Sequence, residues 1–191
     1  MKTINYKIEF FSCWHCGSGL SAGADVDALV IKDKNGIPFI PGKTIKGLLR
    51  EAVEEILYSG VEDAHSVDEL IKESFGLFID KNNFWKGSMF FTNAELSPSL
   101  QSKIQTVQLE KYLYTSIAST AIEENGIAKD FSLRKIQLVV PCELYGTIMN
   151  VPDNMEEILA KGLKFIKRVG VNRNRGLGRC SLSVIEKGVN L

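Results

Sequence analysis

Two carboxylates and a run of arginines carry the chemistry this sequence could do. Asp25 and Asp27 lie between a glycine- and serine-bearing stretch, Gly17-Ser18-Gly19 to Gly23, and the apolar run Ala28-Leu29-Val30-Ile31. A carboxylate in such a loop can act as a base, hold a divalent ion or orient a ribose 2′-hydroxyl, and residue type alone leaves the three open. Far downstream, Gly170-Val171-Asn172-Arg173-Asn174-Arg175-Gly176-Leu177-Gly178-Arg179 interleaves arginines with glycines. Glycine lets a backbone come close to a ligand, and the guanidinium offers a planar fork matched to phosphate oxygens. A solvated basic turn would have the same composition. From Lys161 through Lys164, Lys167 and Arg168 to Arg179 there is no acidic residue, an asymmetry that points to a polyanionic partner.

A third set of cations opens a helix. In Pro41-Gly42-Lys43-Thr44-Ile45-Lys46-Gly47-Leu48-Leu49-Arg50 the free N–H groups and dipole of a helix start favour an anion, which makes Lys43, Lys46 and Arg50 candidates for phosphate contact. The wet face of an amphipathic helix accounts for Arg50 equally well. Gly42-Lys43-Thr44 matches the end of a P-loop, but the first glycine of that motif falls on Ile37 and Gly36 is one residue out of register, so a nucleotide cradle is not expected. Cys13-Trp14-His15-Cys16 has the spacing of a redox or zinc pair, yet structural zinc takes four ligands and Cys142 and Cys180 are isolated. His15 is a hydrogen-bonding or stacking candidate for a nucleic acid, with a structural imidazole as the alternative.

Composition bounds the class. The 191 residues are 45% hydrophobic and 24% charged, as in an ordinary globular chain, and one domain over 1–191 is expected. Lysine plus arginine and aspartate plus glutamate each number 23, so a polyanion would have to be held by local patches and not by bulk charge. No apolar run approaches the roughly 18–20 residues of a membrane span. Lys7 and Glu9 interrupt the first apolar stretch, so no signal peptide is read, the expected location is cytoplasmic, and the thiols are expected to be reduced.

The elements that must position these residues follow from periodicity. Ile4, Tyr6, Ile8 and Phe10 alternate with polar residues as a first strand, and a loop and short hairpin follow up to Lys34-Asn35-Gly36. Ile45, Leu48, Leu49, Ala52, Val53, Ile56 and Leu57 give a helix ending near Gly60. Ser66-Val67-Asp68-Glu69 reads as a capping box for a second helix, and Ser88 to Thr92 as a strand. The span 97–132 reads as an insertion. Leu133–Val140 and Leu144–Val151 are two apolar strands, Asp153 with Glu156 caps another helix, and Cys180 to Glu186 closes as a strand. Strand, helix, insertion, strand, strand, helix, strand is an α+β, ferredoxin-like (split βαβ) order.

The stretches His15–Gly19, Val26–Asp33 and Gly36–Arg50, followed in order by Ser74-Phe75-Gly76, Leu133-Arg134 and Arg175-Gly176-Leu177-Gly178-Arg179, resemble the RAMP superfamily, and in particular the backbone subunits of type III CRISPR effectors. The resemblance implies an RRM-like palm with an inserted thumb, and copies stacked with other effector subunits in a helical filament on a guide RNA paired with its target. It further implies that Asp27 cleaves target RNA with Mg²⁺ or Mn²⁺, which Asp27 would help to hold, by 2′-hydroxyl attack on the neighbouring phosphate. RNA contacts are implied for His15, Ser18, Gly19, Lys43, Lys46, Arg50, Arg173, Arg175, Gly176, Gly178 and Arg179. Two alternatives stand beside this: a non-catalytic RNA-binding scaffold with Asp27 structural, and a guide-processing endoribonuclease, for which only His15 is suitably placed because His65 falls near a helix cap. The Cys13/Cys16 pair and the second carboxylate of Asp25 depart from the family pattern.

Overall fold

Alternation along the first strand sets the core. β1 (Lys2–Phe10) buries Ile4, Tyr6, Ile8 and Phe10 and turns Asn5, Lys7 and Glu9 to a wetter face, the period-two pattern of a strand covered on one side. The computed structural model describes residues 1–23, 25–59, 64–80 and 83–185. After β1 come α1 (Gly42–Tyr58), α2 (Ala64–Phe75), β2 (Leu77–Asp80), β3 (Asn83–Trp85), β4 (Phe90–Phe91), α3 (Pro98–Val107), β5 (Tyr114–Ser119), β6 (Arg134–Val139), β7 (Glu143–Val151), α4 (Glu156–Phe165) and β8 (Cys180–Ile185).

The central sheet runs β4-β7-β1-β8, with every neighbouring pair antiparallel. With α1 between β1 and β4, and α4 between β7 and β8, this is the ferredoxin-like palm. α1 supplies Ile45, Leu49, Ala52 and Val53 to the core, and α4 supplies Leu159 and Leu163. The two helices meet at Gly162, where an added Cβ would lie 2.9 Å from Leu49 Cδ1 and 3.0 Å from Val53 Cγ2. The other face of the sheet is polar: Lys7 Nζ donates to Glu143 (2.8 Å), and Tyr145 OH donates to the same carboxylate (2.6 Å). These bonds, the one from Lys7 first, hold the Glu143 carboxyl below its usual range.

Three expectations need correction. The second palm strand is the short β4 and not Leu133–Val140, because β4 occupies the edge of β7 while β6 pairs in full register with β5, from Tyr114↔Val139 to Ser119↔Arg134. Ser66 lies inside α2, not before it, since that helix is already formed at Ala64. Asp153 sits in a 3₁₀ turn, and α4 starts after Met155 with no side-chain cap. The mixed pattern after Ser97 hides α3, which buries only Ile104 and therefore leaves little periodic trace; Ser97 Oγ accepts from Leu100 N–H, and Pro98 fills the first turn. Gly60 and Glu186, where two expected boundaries fall, lie outside the described residues.

Residues 115–135, the strands β5 and β6 with their connection, form an excursion in which almost every residue is exposed. Its outer turn is pinned by Glu123 N–H to Ile127 O (2.8 Å) and Asn125 Oδ1 accepting from Ile127 N–H (3.0 Å). Ile122, Ile127 and Leu133 are each more than half exposed, and Phe131 is fully so.

Two glycines test the packing in opposite directions. Gly178 has φ +69°, and a Cβ there would come 1.9 Å from Val169 O, so Gly178→Ala should lower the stability seen in urea unfolding by roughly 1–3 kcal/mol or more. Gly47 is mid-helix with open space around it, so Gly47→Ala should raise stability by about 0.5–1 kcal/mol in the same experiment.

Candidate active site

Asp27 reaches its place through a folded-back loop. Ser18 N–H donates to Leu29 O (2.9 Å), Leu29 N–H to Leu20 O (2.9 Å) and Ile31 N–H to Cys16 O (2.9 Å), so the chain returns beside itself. The return leg then docks on β6. Asp27 N–H donates to Lys135 O (2.8 Å), Lys135 N–H donates back to Asp27 Oδ2 (2.7 Å), and Gln137 N–H donates to Ala28 O (3.0 Å). The other carboxylate oxygen, Oδ1, is 3.7 Å from Arg134 Nη1, with both side chains substantially exposed. A carboxylate fastened through main chain and one oxygen presents its second oxygen in a fixed direction, beside a cation.

Arg134 also lines a cleft of about 580 Å³ together with Ser119, Lys129, Phe131 and Ser132 of the excursion and Arg175 of the arginine–glycine loop. Residues 134 and 175 thus meet at one opening with Asp27 at its side. Nothing in the local spacing of the sequence announces Arg134 or Lys135 as partners of Asp27, because the contact is made 108 positions apart along the chain.

The arginine–glycine loop is stitched to the exit of β1. Val171 N–H donates to His15 O (3.0 Å), Gly178 N–H to Cys13 O (2.9 Å) and Arg179 N–H to Ser12 Oγ (2.9 Å). At Gly170, with φ +99°, a Cβ would sit 2.3 Å from His15 O, so the loop can lie this close only without a side chain. Gly178 serves the same approach from within the loop, whereas Gly176 is in the left-handed region with open space around it. Arg173, Arg175 and Arg179 are exposed, and Arg179 lies 5.7 Å from the centre of the Phe11 ring.

The remaining expected contacts divide. His15 is 3% exposed, and its Nδ1 is 2.6 Å from Gln137 O. A carbonyl only accepts, so Nδ1 carries the hydrogen, and the ring is built into the junction and offers no open stacking face. Ser18 Oγ is held by Leu29 O (3.0 Å), and Gly19 is an exposed left-handed turn. The first amide of α1 is already taken, since Gly42 N–H donates to Asn93 Oδ1 (3.1 Å). Lys43 is exposed; burial, then the neighbouring Arg50, pushes the Lys46 ammonium below its ordinary range. Arg50 Nε donates to Glu54 (2.7 Å) and its Nη1 to Gly76 O (3.0 Å). Lys46 and Arg50 line a separate cleft with the β2–β3 hairpin, and Arg173 lines another with Leu48 and Glu51.

The family model of the RAMP superfamily matches residues 7–181. The chain belongs to the RAMP superfamily. Among curated relatives, the RAMP chain is 24% identical over 201 residues to the CRISPR system Cms endoribonuclease Csm3 of Streptococcus thermophilus, covering 94% of this chain and 89% of that protein. Among solved structures it superposes on a chain of the type III-B Cmr-beta complex bound to cognate target RNA with a TM-score of 0.70 at 11% identity, covering 96% and 97% of the two chains. The apo Cmr-beta complex gives the same TM-score at 12% identity, with 98% of each chain covered.

The divalent ion expected beside Asp27 finds only part of a site in this RAMP chain. Among the described residues no three His, Cys, Asp or Glu side chains cluster as metal ligands. Asp27 could supply one carboxylate to an ion held otherwise by water and RNA phosphates, an arrangement magnesium accepts. Its Oδ1 already faces the Arg134 guanidinium. The four thiols are free. No helix among the described residues is long and apolar enough to cross a membrane.

Burial raises the Cys142 thiol to about 11 and the Cys180 thiol to about 12. The nucleophile is the thiolate, so at roughly pH 8 both cysteines should resist iodoacetamide in the folded protein, with Cys142 labelling first as pH climbs toward its raised value. Peptide mapping after alkylation, folded and in denaturant, checks the order; rapid labelling of both in the folded chain at that pH would contradict it.

Proposed function

We propose that this RAMP chain is a guide-RNA-binding backbone subunit of a type III CRISPR effector, and that it cuts the guide-paired target RNA at Asp27. The observation that carries the reading is the carboxylate held at the root of the projecting hairpin, beside a cleft with Arg134 and Arg175 in its wall. The palm is the body, and the excursion, with exposed Ile122, Ile127 and Phe131, serves as a thumb that wedges between bases. Specificity comes from base pairing between guide and target, as in other RNA-guided systems. Stacked copies and other effector subunits complete the filament; magnesium or manganese, with Asp27 as its protein carboxylate, would supply charge neutralisation.

In this reading Asp27 takes the proton from a target 2′-hydroxyl while the 2′-oxygen bonds to the adjacent phosphorus. The P–O5′ bond breaks, the departing 5′-oxygen takes a proton from water, and the products are a 2′,3′-cyclic phosphate and a 5′-hydroxyl. Arg134 and Arg175 offset the charge that builds on the phosphoryl oxygens.

A second reading has its own support. Asp27 Oδ2 accepts the Lys135 N–H, so the carboxylate also ties its loop to β6, as a purely structural aspartate in an RNA-binding scaffold would. Asp27→Asn separates the two, because an amide oxygen can still accept that N–H but cannot act as a base. In a guide-loaded assembly given labelled complementary RNA, Asp27→Asn should slow cleavage by roughly 10²–10⁴-fold while target affinity and thermal stability stay near wild type. Assays in magnesium, in manganese and with chelator read the ion requirement. A wild-type assembly that binds target and leaves it intact would give the scaffold reading, and an Asn variant that cuts as before would overturn Asp27 as the base.

A further inference from the structure

The β2–β3 hairpin turns aromatic side chains outward. Phe78 is 72% exposed, Phe84 65% and Trp85 55%, and Phe78 opposes Phe84 directly across the ladder. Apolar faces of that size are normally hidden unless something docks on them. Here they border a cleft of about 260 Å³ whose other walls carry Lys46, Arg50 and Lys86, with no carboxylate among the described lining residues. The floor is backbone: at Gly76, φ +84°, a Cβ would meet Trp85 O at 2.6 Å, and at Gly87 it would meet Gly76 N at 2.4 Å. Only a glycine pair lets the two strands' ends close into this notch.

One cation of the notch is bonded to a carboxylate and to the floor, and the Trp85 ring is flanked by a lysine from outside it. Arg50 is held by Glu54 and by Gly76 O, and Lys72 Nζ lies 4.3 Å from the centre of the Trp85 ring. It also continues a charged stripe. Lys43, Lys46 and Arg50 recur at three and four residues along α1, which sets them on one helix face leading to the hairpin. Cations along a track with aromatic rings at its end match single-stranded RNA, whose phosphates follow the cations and whose unpaired bases stack on rings. A protein partner would find apolar rings here; Arg50 is paired with Glu54, but Lys46 and Lys86 meet no carboxylate among the described lining residues, which favours the polyanion.

We infer that the β2–β3 notch is a second RNA contact, in which an unpaired nucleotide stacks its base on Phe84 or Trp85 while its phosphate lies against Lys46 and Lys86. The inference rests on the RNA-binding reading above but uses none of the residues of the cleavage site.

The chain carries two tryptophans, and Trp14 is fully buried, so a change in exposed indole emission reports on Trp85. The full chain is titrated with a short oligouridylate and, separately, with an abasic ribose-phosphate strand of the same length. Quenching of the Trp85 emission by oligouridylate and not by the abasic strand is expected, together with about ten- to a hundred-fold weaker oligouridylate binding by Phe84→Ala. Phe84→Tyr, which keeps a stacking ring, should bind near wild type; this shows that a loss in the alanine variant is not misfolding. If oligouridylate binds with unmoved emission and equal affinity for wild type and Phe84→Ala, the notch is not an RNA contact and the RNA reading stands without it. If hairpin variants lose association with neighbouring effector subunits while oligouridylate affinity is unchanged, the rings serve a protein and the inference fails. A wild-type chain that binds no RNA at all overturns both readings.

Discussion

The structure depends on one extended segment, Phe11 to Gly17, whose main chain is bonded on both sides. On one side Trp14 pairs with Val139 in both directions, at 3.0 and 2.8 Å, and His15 Nδ1 reaches Gln137 O. On the other, the carbonyls of Cys13 and His15 take the amides of Gly178 and Val171. The segment is therefore a middle rung between β6 and the arginine–glycine loop. A main chain bonded on both edges is satisfied only if both neighbours come to strand distance. The loop meets that distance by having glycine at 170 and 178, where carbonyl oxygens sit in the space of a Cβ. Loop and hairpin are brought together by β1's continuation, and the cleft between Arg134 and Arg175 is what remains open between them.

Much of the palm is legible in the sequence because its signals are local. β1 alternates cleanly and buries its four apolar residues, while α1 and α4 carry apolar stripes whose central residues, Ile45, Leu49, Ala52 and Val53 on α1 and Leu159 and Leu163 on α4, are buried and whose flanks, such as Leu48 and Leu57, are half-buried. The hairpin strands are harder. β6 ends in Leu138 and Val139, both buried, so it reads as a strand of the main sheet; which edge it joins is decided by Trp14 and by the prior occupation of β7 by β4, neither of which leaves a mark in its own residues. The same limit applies at the candidate site. Asp27 stands out as a loop carboxylate, while Arg134 becomes its neighbour only through ladder pairing. His15 stands out as a chemically able ring, yet its burial follows from the same pairing and turns it inward.

Zero net charge also takes on a physical meaning once the fold is known. Three groups of cations stand out: along α1 toward the β2–β3 hairpin, in the arginine–glycine loop, and at the root and flank of the projecting hairpin. Several acidic side chains are occupied elsewhere, as Glu143 is by Lys7 and Tyr145 on the polar face of the sheet, and Glu157 by Lys161 on α4. Surface pairs of this kind contribute little to stability. They do neutralise one part of the molecule locally and leave other parts positive, so a neutral chain can present a phosphate backbone with separate points of attachment.

The hairpin's two ends are under unequal constraint. At its root, Lys135 exchanges hydrogen bonds with Asp27 and Gln137 binds both Ala28 and His15, so adding or removing one residue there would turn every following side chain to the opposite face. At its tip, the turn around Asn125 and Gly126 bonds only to itself. Lineages can therefore lengthen, shorten or rewrite the tip while the carboxylate keeps its position. How far the finger reaches and where the acid stands can drift independently, and change should accumulate at the outer end and be purged at the inner one.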